Sequence, residues 1–282
     1  MPSPNTSCPV CDNEIPFHSR NCPVCQSDVG FPNVRQALRE QQELDHRYGE
    51  ALTLASIRGT EEALKAFERA LLSSRAVMCR STTDILAMLR SDCALWGSFY
   101  QQVGQSARLA QYNQWDMSRK SVDEAMFPLY AEEVIFAALS LNDRGPRHYG
   151  DCHLVLKSDL IESRATVFEE NPFTFFQRHR VVIGTDVPTG YRGCWSQRQK
   201  VCVAKLHTRI AGDASPEQFA RILLWDDAAD SDFVEVHVYG AIHRRALEKI
   251  SFEQCLPAPQ QVILEGITRE LERLGIQVAR VS

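Results

Sequence analysis

The chain reads Cys8-Pro9-Val10-Cys11 and then, after ten intervening residues, Cys22-Pro23-Val24-Cys25. Two identical Cys-x-x-Cys knuckles constrain a short segment more than any hydrophobic pattern does, because four thiolates at such spacing close on one tetrahedral ion at about 2.3 Å per bond. The expected ligands are Cys8, Cys11, Cys22 and Cys25, the expected ion is a structural Zn2+, and residues 1–32 are expected to form a zinc ribbon around it. A redox disulfide would use one Cys-x-x-Cys opening a helix beside a strand, a pattern this polar segment lacks. Iron–sulfur ligation by the same thiolates stays open. His18 lies inside the loop but is read as a surface residue, since four sulfurs already complete the set.

The remaining cysteines, Cys79, Cys93, Cys152, Cys194, Cys202 and Cys255, stand singly among apolar residues and read as reduced thiols. With no apolar run of membrane-spanning length and no charged-then-apolar leader, the expected location is the cytoplasm, with no membrane partner. A hydrophobic content of 44% over 282 residues supports a substantial core. The formal net charge of −5 argues against binding nucleic acid over the whole surface and leaves only local basic runs, Arg178-His179-Arg180 and His243-Arg244-Arg245.

Beyond the ribbon, Gly30-Phe31-Pro32-Asn33 reads as a turn and helix cap. Apolar residues from Ala37 to Leu54 recur at helical spacing, predicting one long helix from Val34 to about Ile57. Gly59 ends it. Thr60-Glu61-Glu62 opens a second helix with Leu64, Phe67, Leu71 and Leu72 on one stripe, so residues 33–74 are expected to be a helical hairpin serving as spacer. Residues 75–282 form the expected main domain. It begins with a buried strand, Arg75 to Arg80, and a capped helix to Leu89. Further helices are expected over Ser121–Leu141 and Ser196–Ile210, and strands over His153–Leu156, Ala165–Phe168, His179–Ile183, Phe233–Tyr239 and Ile276–Val281. Strands cluster late and helices early, which favours an α+β class with a split or mainly antiparallel sheet and flanking helices over a doubly wound one. No Gly-x-Gly-x-x-Gly, Walker loop, His-Glu-x-x-His or Gly-x-Ser-x-Gly occurs.

In Asp232-Phe233-Val234-Glu235-Val236-His237-Val238-Tyr239-Gly240, strand alternation places the three valines on one face and Phe233, Glu235, His237 and Tyr239 on the other. An all-valine face is core. A carboxylate on the opposite face of such a strand carries a desolvation cost that a cleft relieves better than a core does, which marks Glu235 as the leading catalytic candidate. A sheet face simply open to water is the alternative.

Three segments, Val77-Met78-Cys79-Arg80-Ser81-Thr82, Tyr149 to Phe168, and Phe233 to Gly240, follow one another in an order that resembles the ADP-ribosyltransferase fold from about Ala76 to Ser282. The resemblance implies NAD as substrate and Glu235 as the catalytic carboxylate, hydrogen-bonded to a ribose hydroxyl and facing the positive charge that grows as nicotinamide leaves. It implies Arg80 on the pyrophosphate, because a forked guanidinium suits that anion. It further implies Ser81 and Thr82 near the ribose, although both also suit a helix cap, and Tyr149, Phe168 or Phe173 against the nicotinamide.

Family members that modify protein arginine carry a second Glu two residues before the catalytic one, where this chain has Phe233. An aromatic there can stack on a planar acceptor, so with the ribbon attached the resemblance points to a nucleic-acid acceptor, RNA first and single-stranded DNA second. His237, on the same face as Glu235, is the expected acid or base for that acceptor. A further likeness is to toxins of bacterial anti-phage defence, including toxin–antitoxin–chaperone systems, which would put an antitoxin or chaperone on the ribbon or hairpin. The rival readings are a non-catalytic binding scaffold, a transferase acting on protein, a nuclease using Asp226-Asp227 to Asp230-Ser231-Asp232, and a deaminase, for which the His-x-Glu preceding Cys-x-x-Cys is missing.

Overall fold

The computed structural model describes residues 6–89, 94–104, 114–227, 231–253 and 258–281. Its architecture is α+β, built on an eight-stranded sheet. From one edge the strands run Gln277–Val281, Leu247–Glu253, Cys152–Leu156, Arg75–Arg80, Val134–Ser140, Glu235–Tyr239, Ala165–Phe168 and Arg192–Cys194. Every neighbouring pair is antiparallel except Leu247–Glu253 with Gln277–Val281. The Glu235 strand is therefore interior, paired on both sides, with Glu235 opposite Ala138 and Phe168 and His237 opposite Phe136 and Thr166.

The valine face behaves as the alternation dictates. Val234, Val236 and Val238 are fully buried in a core shared with Leu44, Leu64, Phe67, Val201 and Phe219. The opposite face is not open to water. The helices Gln114–Met126 and Pro172–His179 cover it with a second apolar cluster that includes Met126, Phe127, Phe168, Phe175 and Phe176. Glu235 and His237 thus lie between strand and helices, where a charge has to be paired or vented into a cavity.

Several elements differ from expectation for physical reasons. The long helix is two, Pro32–Arg39 and Gln41–Ile57, broken at Glu40, whose carboxylate accepts from Gly190 N at 3.1 Å and ion-pairs with buried Arg192 at 3.2 Å. Asn33 is not a cap. Its Nδ2 donates to Arg164 O at 2.9 Å and His237 O at 3.2 Å, pinning the first helix to the Glu235 strand. The second and third helices contribute Leu44, Ala51, Ala55, Leu64, Phe67 and Leu71 to the main core. The helix expected over Ser121–Leu141 stops at Met126, and Val134–Ser140 is a central strand whose burial on both faces removes the alternation that would have marked it. Instead of a strand over His179–Ile183, the Pro172–His179 helix ends at Arg180 in the left-handed region (φ 52°), and Val182 and Ile183 are exposed. Phe233–Tyr239 is interrupted at Val234: Ser231–Phe233 pairs with Leu224–Asp226 outside the main sheet.

At the N-terminus, short strands Thr6–Ser7 and Glu14–Ile15 frame the knuckles. Arg35 fastens this segment to the helices, donating to Phe17 O at 2.8 Å and Gly30 O at 2.7 Å, while Phe17 packs on Tyr130 at 5.9 Å and Phe31 on Tyr239 at 5.5 Å. Cys79, Cys152, Cys194 and Cys202 are free thiols; Cys93 and Cys255 lie outside the described residues. Among the described residues no helix is long and apolar enough to cross a membrane.

Candidate active site and metal centre

The sulfurs of Cys8, Cys11, Cys22 and Cys25 lie within 4.8 Å of one another, with Cys8–Cys25 and Cys11–Cys22 each at 3.6 Å. A tetrahedron with Zn–S bonds of about 2.3 Å has edges of about 3.8 Å, so the donor set and its spacing fit one such ion. The tips of the two knuckles, Val10 and Val24, face solvent.

Glu235 is 3% exposed, and that remainder opens into a cavity of about 310 Å³ walled also by Arg80, Ser81, Arg119, His148, Tyr149 and Phe233. The same carboxylate walls a second, smaller cavity of about 200 Å³ with Arg119, Asp123, Tyr149, Asn171 and Phe173. Glu235 therefore stands at the junction of two spaces divided by Arg119, Phe136 and Tyr149, which line both. Burial pushes its carboxyl up to about 8, with the Arg119 charge pulling the other way.

Behind Glu235, His237 is completely buried. Its Nε2 lies 2.9 Å from Glu235 Oε2, and its ring sits among Phe127 (4.8 Å, edge-on), Phe136 (5.4 Å, edge-on) and Phe168 (5.9 Å, stacked). Burial in that box, helped by the Arg192 charge, drives its pKa down to about 3, so the ring is neutral. Nδ1 has no hydrogen-bond partner among the described residues, which assigns the proton to Nε2 and makes His237 a donor to the carboxylate. A residue so enclosed lines neither cavity, so in place of the direct acid or base role expected for His237 the structure shows a side-chain hydrogen bond to Glu235.

Other expected residues sort by burial. Arg80 ends its strand on the cavity wall, its Nη1 donating to Cys79 O at 2.7 Å. Ser81 also lines the cavity while serving as a cap: Asp84 N donates to its hydroxyl and its own N–H donates to Asp84 Oδ2, each at 3.2 Å. Thr82 is buried beside Cys152 Sγ at 3.7 Å and does not line the cavity. Phe168 is 1% exposed and stacks behind His237, so it is core and not a nicotinamide platform. Phe173 lines the smaller cavity. Tyr149, 45% exposed, lines both cavities, with the His148 ring 3.9 Å away. Phe233 is buried, its ring edge-on to Tyr149 at 6.4 Å, so the face free for stacking belongs to Tyr149. Asp232 is held by Lys205 and Arg209. Part of the acidic run that a nuclease would use, residues 228–230, lies outside the described residues. The His243-Arg244-Arg245 run is no surface stripe, because Arg244 is buried.

Arg119, Asp123 and Tyr100 are not marked by the sequence reading. Asp123 Oδ2 accepts from Tyr100 OH at 2.8 Å and faces Arg119 Nε at 3.3 Å. Burial raises its carboxyl and the Glu235 charge adds to that, while Arg119 and Tyr100 oppose. The signal that could have found them is Asp123 at helical spacing from Met126 and Phe127, a carboxylate on an apolar stripe, with Arg119 one turn before it.

No protein-family profile matches the chain, and no curated protein matches it. Among solved structures, it is similar to Thermus sp. 2.9 DarT in complex with NAD+, at 9% identity and a TM-score of 0.36, over 74% of this chain and 95% of that one.

Proposed function

We propose that this chain is an NAD-dependent ADP-ribosyltransferase whose catalytic residue is Glu235. The observation that carries the reading is Glu235 itself: an interior-strand carboxylate, 3% exposed, opening onto a cavity whose walls also include Arg80 and Arg119. Cleavage of the nicotinamide–ribose bond passes through an oxocarbenium-like state. A carboxylate held fixed at the wall of that cavity stabilises that charge more than it stabilises the ground state. His237 fixes the carboxylate from behind through Nε2–H, and the fixed cation of Arg80 suits the pyrophosphate. Ser81 and Tyr149 wall the same space and would contact the ribose and the ring of the leaving group.

The acceptor in this reading is a nucleic acid, RNA in first place. The exposed Tyr149 ring at the junction offers a stacking face, and the N-terminal four-cysteine segment, read as a structural zinc ribbon, is a module suited to nucleic-acid contact. The place of the chain as a cytoplasmic phage-defence toxin, with an antitoxin or chaperone on the ribbon or helices, rests on the sequence resemblance.

The test is incubation with adenine-labelled NAD and total cell extract, followed by separate nuclease and protease digestion. Label released by nuclease supports the reading, and label released only by protease moves the acceptor to protein. Glu235→Gln is expected to abolish nicotinamide release without lowering the melting temperature. Wild-type turnover by that variant, or no NAD-dependent thermal shift in the parent, overturns the assignment and leaves a binding scaffold.

A further inference from the structure

We propose that Asp123 is a second catalytic carboxylate, which takes the proton of the acceptor nucleophile in the smaller cavity while Glu235 faces the sugar. The proposal rests on the transferase reading and assigns its two cavities. The 310 Å³ space, with Arg80 and Ser81, takes NAD; the 200 Å³ space, with Asp123, Asn171 and Phe173, takes the acceptor. Glu235, Arg119 and Tyr149 belong to both, so the anomeric carbon bound near Glu235 is reached from the Asp123 side.

The strand position two residues before Glu235, where a same-strand acid would stand, is a buried phenylalanine, and neighbouring Asp232 is tied to Lys205 at 2.5 Å and to Arg209. The tertiary structure supplies a carboxylate from elsewhere. Asp123, 3% exposed, projects from the Gln114–Met126 helix into the cavity it shares with Glu235. Both of its hydrogen-bonding contacts, Tyr100 OH and Arg119 Nε, fall on Oδ2, so Oδ1 makes no hydrogen bond within the described residues. This arrangement orients the carboxylate by one oxygen and keeps the other for a ligand, which is how a general base is built. A helix carboxylate serving structure alone would have both oxygens satisfied or in open solvent.

The atoms balance without any further reactant. The bond from the anomeric carbon to the pyridinium nitrogen breaks, and nicotinamide leaves neutral with the electron pair. The acceptor's nitrogen or oxygen forms the new bond to that carbon, and its proton passes to Asp123 Oδ1. The acceptor class is therefore a small planar or hydroxyl-bearing group with an N–H or O–H at the reacting atom, such as a nucleobase edge or a ribose hydroxyl. An already unprotonated nitrogen would need no such base.

Asp123→Asn keeps the shape and the Tyr100 and Arg119 contacts within reach, and Tyr100→Phe removes one hydrogen bond to the charged form from the far side. The groups facing Asp123 are Arg119, Tyr100, Glu235 and His237, so pH profiles of all variants are compared at fixed salt. With labelled NAD and total cell RNA as probe, Asp123→Asn is expected to bind NAD with unchanged affinity and to lose transfer by about 10²–10⁴-fold, the range of a general base. Tyr100→Phe is expected to keep transfer at high pH and move the acid limb of its profile upward, because loss of a donor raises the Asp123 pKa. Wild-type transfer rate and pH profile in Asp123→Asn, with Glu235→Gln inactive, overturn this assignment and leave the transferase reading standing. Absence of NAD cleavage in the unmodified protein overturns both.

Discussion

Glu235 Oε2 and His237 Nε2 lie 2.9 Å apart, two residues along one strand and on the same face, with the His237 ring packed against Phe127, Phe136 and Phe168. Strand alternation alone brings the two side chains together, and burial disfavours the charged form of each. The box holds the imidazole neutral, burial lifts the carboxyl to about 8, and the imidazole orients that carboxyl at the cavity wall.

The raised Glu235 carboxyl, at about 8, makes NAD cleavage pH-dependent in a stated direction. If the ionised form reacts, kcat/KM rises with pH and levels off above about 8, and a profile flat from pH 6 to 9 would contradict this. Stability moves the opposite way. The fold favours the protonated carboxyl, so this contribution is complete below the unfolded pKa of about 4.3 and is lost as pH rises through 8. Glu235→Gln is expected to melt higher than the parent at pH 9, and the gap is expected to close towards pH 4.

His237→Leu removes the donor to Glu235 while keeping an apolar side chain in an apolar box. Loss of a hydrogen bond to the ionised form is expected to shift the rising, acid-side limb of the kcat/KM profile upward by on the order of one pH unit. The KM for NAD is expected to stay near that of the parent, because His237 does not touch the cavity. A purely structural role would lower the melting temperature and leave the profile in place.

Gly150→Ala tests the support of Arg80. Gly150 adopts φ +146°, and a Cβ there would lie 2.3 to 2.8 Å from the Arg80 backbone, which cannot yield as a side-chain tip can. The expected outcome is a destabilisation of about 1–3 kcal/mol together with a raised KM for NAD, read by thermal melting and steady-state kinetics. An unchanged KM would show that Arg80 does not hold substrate.

The cysteine cluster predicts one zinc ion per chain by emission spectroscopy, released when Cys8 and Cys11 are both changed to serine. Arg35 and Phe17 tie this segment to the helix that pins the Glu235 strand. Metal loss is therefore expected to lower the melting temperature of the whole chain. Identical metal content in parent and variant would refute the ribbon.

Much of the site is legible in the sequence because its signals are local. Cys-x-x-Cys spacing is a property of a few adjacent residues, and the valine alternation around Glu235 is a period-2 pattern that any strand would display. The misplacements share another cause. Val134–Ser140 is apolar on both faces, so its periodicity carries no information and it reads as the end of a helix. Phe168 and Thr82 carry the residue types expected of a ligand contact, but type does not say which way a side chain turns, and both turn into the core.

The sequence by itself determined the cysteine cluster, the α+β class and the strand bearing Glu235, since each follows from spacing within a short stretch of chain. Only the tertiary structure decided what surrounds that carboxylate. Arg119 and Asp123 line its cavities from a helix far away in the chain, Tyr100 reaches Asp123 from another, and Arg80 comes from the end of another strand. Those meetings depend on how helices cover the sheet, and the burial they produce sets the proton affinities of Glu235 and His237.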